Sequence, residues 1–131
     1  MTKIEALHRR LLRLGLKCER IVDRVEIAFA GTTVEARCER GSVSPWESET
    51  RDEILARCAA RAIYCFTFAG IINRATAPEE RAAIIACERA NLAAQHSTAL
   101  GEVWRAAERL AEKEAKAAAV TARLAALEGL T

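Results

Sequence analysis

The sequence predicts a mainly α-helical chain in which a short N-terminal helix and a β-hairpin are followed by a long antiparallel helical hairpin, bundle-like or coiled-coil-like. Three observations predict it. An apolar helical period over the first turns gives way to strict alternation between residues 25 and 38. Two helix-start signals, Ser44-Pro45 and Thr76 to Pro78, each open a long segment without a further breaker. A heptad pattern then persists almost to the C-terminus. The 131 residues fit one domain, 1–131, with a helix-plus-hairpin subregion over 1–41 and a helical hairpin over 44–128. Hydrophobic residues make up 51% and charged residues 29%, enough apolar material for a core and too little bias for disorder.

The first helix is expected over residues 3–14. Thr2 with Glu5 three positions on forms a capping box, Ile4, Leu7, Leu11 and Leu14 recur at helical spacing, and Gly15 follows. Its polar side holds His8, Arg9, Arg10 and Arg13, with Lys17, Arg20 and Arg24 beyond. Net charge over the whole chain is only +2, yet seven of the twenty Lys and Arg fall within the first 24 residues. The N-terminal end is the basic end, and Arg9, Arg10, Arg13, Lys17 and Arg20 are the candidate partner-binding residues.

Next comes the hairpin. Val25, Ile27 and Phe29 alternate with Glu26, Ala28 and Ala30, then Val34, Ala36 and Cys38 with Glu35, Arg37 and Glu39. Gly31 and Thr32 are expected to form the reversal. A lone two-stranded hairpin is marginal in water, so its apolar face needs a helix or another copy to cover it.

Residues 41–44 form the linker. Ser44, Pro45 and Glu47 then combine a capping hydroxyl, Pro at the first helical position and the Glu of a capping box. The resulting helix is expected to run to about residue 75, where Thr76, Pro78 and Glu79 repeat the signal. Between Ile54 and Ile72 it is apolar on nearly every face, which predicts surrounding protein.

With Ala82 as heptad position a, the a series is Ala82, Arg89, His96, Val103, Leu110, Ala117 and Leu124. The d series is Ile85, Leu92, Ala99, Ala106, Lys113, Val120 and Leu127. The register does not slip at Gly101, which favours one continuous helix although Gly costs up to about 1 kcal/mol inside one. At about 1.5 Å per residue such a helix reaches roughly 76 Å, against a radius of gyration of roughly 14 Å for a compact chain of this size. Either it breaks and folds back, or another copy covers Leu92, Val103, Leu110, Val120, Leu124 and Leu127, the candidate self-association residues. Ala86, Ala93, Leu100 and Ala107 widen the stripe at position e. Twenty-four of the 28 alanines lie at or after Ala56, which composition bias of a GC-rich bacterial genome explains more simply than a designed seam.

Chemistry has little support in the sequence. Five cysteines, Cys18, Cys38, Cys58, Cys65 and Cys87, are an odd number without the close pairs a zinc site uses, and read as small reduced core residues. His96 in a core heptad position reads as part of a helical interface, and His8 as a solvated or nucleic-acid-facing residue. Glu47, Glu49, Asp52, Glu53, Glu79 and Glu80 partly resemble the carboxylate runs of all-helical nucleotide pyrophosphatases, E-E-x-x-E then E-x-x-D. Here the elements come in the wrong order, and Ala83 stands where the third glutamate belongs. Helix N-terminal turns are the plainer place for these acids. The six glycines form no phosphate loop. Arginines interrupt the apolar pattern of the first sixteen residues, unlike a signal peptide. The longest uncharged stretch, residues 62–73, falls short of the ~20 residues a membrane span needs.

The expected function is therefore that of a non-enzymatic, cytoplasmic interaction protein with no cofactor, metal or membrane partner. It would self-associate, most simply as a dimer, and act on an unidentified protein by occupying a surface, as adaptors, assembly factors and phage or mobile-element inhibitors do. Binding of nucleic acid by the basic N-terminal helix is the alternative.

Overall fold

In the computed structural model, which describes residues 2–130, the chain is mainly helical: a short N-terminal helix, a three-stranded antiparallel sheet, and one long C-terminal helix. Helix α1 (Lys3–Arg13) starts as its cap dictates, with the Glu5 N–H donating to Thr2 Oγ1 at 3.2 Å and the Thr2 N–H donating to Glu5 Oε2 at 3.4 Å. It ends at Gly15, whose φ of +81° suits glycine. The Leu16 N–H reaches the Leu11 carbonyl and the Gly15 N–H that of Leu12, and Leu11 and Leu16 are both buried. This is the Schellman arrangement, with its accompanying apolar contact.

The sheet has one strand more than the alternation predicts. Strand β1 (Cys18–Arg20) pairs antiparallel with β2 (Val25–Phe29), Cys18 opposite Ile27, and β2 pairs with β3 (Thr32–Ala36). β1 carries no apolar alternation and is held by backbone pairing, which side-chain periodicity cannot reveal. The reversal lies at Ala30 and Gly31, one residue earlier than expected. Both have positive φ, +49° and +70°, as a two-residue turn matched to strand twist demands. β-Branched Thr32 is thereby spared that conformation.

Val25, Ile27, Phe29, Val34 and Ala36 make the buried face of the sheet. Leu7 and Leu11 of α1 join the same core, as do residues of the next helices. The helix expected over 45–75 is divided. α2 (Pro45–Ser48) is a single turn, Glu49 is extended, and α3 (Arg51–Ile72) begins on its own capping box, Thr50 with Glu53. Inside α3, Thr67 adopts φ 64° and ψ 161°, and its Oγ1 accepts from the Gly70 N–H at 3.3 Å, so that the last helical turn is capped afresh. The expectation that protein surrounds this helix is not met. Ile54, Leu55, Cys58, Ala59, Ala62 and Ile71 are buried, whereas Tyr64, Cys65 and Phe66 are exposed.

Helix α4 (Pro78–Glu128) is one continuous element, with Gly101 in its interior. The chain divides into two compact units, up to Ala90 and from Asn91. In the first, α4 contributes buried Ile84 to the core, with Ala83 and Cys87 partly buried against it. In the second, every described residue is exposed except half-buried Gly101.

Candidate interaction surfaces

The basic residues of the N-terminus divide into two groups. Arg10 is half-buried: its guanidinium donates to the Trp46 carbonyl at 3.0 Å and to the Glu49 carbonyl, satisfying the C-terminal end of α2. Arg20 pairs with Glu5 at 2.9 Å. Arg9, Arg13 and Lys17 are exposed and form no ion pair with the described residues. The free basic side chains are thus these three, fewer than the five expected, because Arg10 is an internal clamp and Arg20 is paired with Glu5.

Each acid of the cluster over 47–53 and 79–80 except Asp52 has a local task. Glu47 accepts from the Ser44 N–H at 2.6 Å and Glu53 from the Thr50 N–H at 3.3 Å, both as helix caps. Glu49 pairs with Arg57 at 2.5 Å and Glu79 with Arg51 at 2.6 Å. Glu80 accepts from the Ala30 N–H at 2.5 Å and so ties α4 to the hairpin turn. Hydrogen bonding by Arg57 and Arg51 holds the Glu49 and Glu79 carboxyls below the usual range. Among the described residues no group of three or more His, Cys, Asp or Glu is placed to hold a metal. Of the thiols read as core, Cys58 is fully buried and burial pushes it up to about 12, Cys18, Cys38 and Cys87 are half-buried, and Cys65 is exposed. Cys65 lies on the open side of α3, where a seven-residue spacing from Cys58 does not keep both residues inside.

Sequence reasoning missed a groove of about 500 Å³ beside β3, an edge strand of the sheet. Thr33, Glu35 and Arg37 line one side and Arg61, Cys65 and Phe66 of α3 the other. Ser44 contributes a buried hydroxyl without a hydrogen-bond partner. The only sequence signal was a hairpin whose second strand has no third strand after it.

An exposed apolar stripe runs along α4. Leu92, Val103, Leu110, Val120, Leu124 and Leu127 are 53–66% exposed, and all occupy positions a and d. At the start of the same helix an apolar groove of about 550 Å³ lies between Leu55 and Ala56 of α3 and Ala82, Ala86 and Ala90 of α4. Trp104 is also exposed, but stands off the seam at position b, its indole N–H donating to Glu108 at 3.1 Å.

No known protein family, curated protein or solved structure matches this chain. The surfaces must therefore be interpreted by their own chemistry. α3 has the length and mean hydropathy, 1.4, of a membrane span. Arg57 and Arg61 interrupt it, its backbone breaks at Thr67, and its six buried residues belong to the protein core.

Proposed function

We propose that this chain is a non-enzymatic, cytoplasmic protein-interaction module that works as an assembly with a second copy of itself, occupying a partner's surface in the manner of an adaptor, assembly factor or inhibitor. The observation that carries the reading is the row of six large aliphatic residues of α4, more than half exposed, at a 3.5-residue period. That period recurs in the face of another helix and in no other common surface, so a helix is the natural cover and a second α4 the simplest. Burial of such side chains favours association by about 1.5–3 kcal/mol each before association costs are set against it. Sedimentation equilibrium of the full chain tests it. A dimer that Val103→Asp with Leu110→Asp converts to helical monomer supports the reading, and a wild-type monomer at tens of micromolar refutes it.

Arg9, Arg13 and Lys17, exposed and outside any ion pair with the described residues, favour nucleic acid as a second reading. Duplex binding that falls steeply with salt, and is lost when the three are changed to Glu, would support it. Binding absent at low salt removes it.

A further inference from the structure

The position-g residues of α4 are sorted by charge along the helix. Glu88, Gln95 and Glu102 occupy g in its first half, and Arg109, Lys116 and Arg123 in its second. No ion pair within the chain joins the five charged ones to any described residue. Three polar residues also interrupt the core positions: Arg89 and His96 at a, Lys113 at d.

Resting on the self-association reading, we propose that α4 pairs with the α4 of a second copy in antiparallel orientation, in the register that sets position a of residue 82 against position d of residue 127. In an antiparallel coiled coil a faces d and g faces g. This register therefore brings Glu88 of one copy to Arg123 of the other, Gln95 to Lys116, and Glu102 to Arg109. By the two-fold axis each contact occurs twice, and all the charged ones are attractive. The core layers agree in size. Of the seven layers, four combine a larger and a smaller side chain, Ala82 with Leu127, Leu92 with Ala117, Ala99 with Leu110 and Val103 with Ala106, and a fifth sets Ile85 against Leu124. Two of the three polar residues share a layer, His96 facing Lys113, while Arg89 faces Val120, where its aliphatic stem can lie on the valine and its guanidinium reach solvent. In an in-register parallel pair Arg89 would face Arg89 and Lys113 would face Lys113, two like-charged layers in the core.

The first turns of α4 fit the arrangement. Ile84 at position c is buried in the core of its own copy, while Ala82, Ala86 and Arg89 at a and e stay exposed. The alanine-lined groove beside them, bounded by Leu55 and Ala56, is apolar where Leu124 and Leu127 of the other copy arrive.

Charge reversal separates the geometries. In the antiparallel pair, Glu88→Lys with Glu102→Lys turns four attractive contacts repulsive, as does Arg109→Glu with Arg123→Glu. In a parallel pair Glu88 and Glu102 would lie beside Ala93 and Ala107, so the first variant would be silent. Sedimentation equilibrium of each variant, with helix content monitored by circular dichroism, should show each helical and its dimer weakened roughly tenfold or more. An equimolar mixture should recover a heterodimer as tight as wild type. Wild-type dimerisation by the Glu88→Lys, Glu102→Lys variant alone, or failure of the mixture to recover, overturns the antiparallel register while leaving self-association standing. A wild-type chain that remains monomeric removes both.

Discussion

Side chains that look alike in the sequence have different work in the structure. Arg9 and Arg10 are neighbours, yet only Arg10 is held by two backbone carbonyls at the end of α2. Arg10→Ala should lower stability by about 1–2 kcal/mol in urea unfolding, whereas Arg9→Ala should stay within about 0.5 kcal/mol. The thiols diverge in the same way. At pH 8 iodoacetamide should modify Cys65 in the native protein, and Cys58, pushed up to about 12 by burial, only after unfolding. Peptide mapping reads both sites, and native labelling of Cys58 would contradict its place in the core. Glu49 and Glu79 bear on acid stability. Their carboxyls titrate lower in the folded chain than their ordinary 4.5, so the unfolded chain binds protons first. Their contribution is present above pH 4.5 and is lost as pH falls through the lower folded values. Replacing both by Gln should flatten the acid limb of a stability profile below that pH. None of these distinctions was legible from residue type, because each depends on what the fold places within hydrogen-bond reach.

The elements were legible in proportion to how local their causes are. The Thr2 and Glu5 box, the alternation over β2 and β3 and the Pro78 start are signals within a few residues, and each element stands close to its expected bounds, although β3 ends at Ala36, three residues before the alternation does. β1 was missed because its stabilisation is the ladder with β2. The division of the 45–75 segment was missed although Thr50 and Glu53 spell a capping box, since the Ser44-Pro45 start just before it is equally strong. Thr67 had no signal: a β-branched residue at φ 64° is strained, and what the conformation gains is the bond its exposed hydroxyl accepts from the Gly70 N–H. Thr67→Gly should relieve that strain at the loss of one capping bond, leaving stability unchanged or raised by up to about 1 kcal/mol in thermal unfolding. A loss of more than 2 kcal/mol would contradict the strained conformation.

For the molecule as a whole, the sequence named the apolar stripe and left two ways to cover it, a helix that folds back or another copy; α4 is continuous and the six residues are exposed. The free basic side chains and the groove beside β3 were harder to read, since both depend on residues far apart in sequence. What joins the scales is the proposal that Leu92, Val103, Leu110, Val120, Leu124 and Leu127 are covered by a second copy. Sedimentation equilibrium of the wild-type chain from about 1 to 100 μM tests this most directly, spanning the affinity range of ordinary specific dimers. The expected result is a mass of twice 14.3 kDa at the upper concentrations, reverting to the single-chain mass when Val103 and Leu110 are replaced by Asp. A mass of 14.3 kDa throughout, with helix content intact, would contradict the central claim.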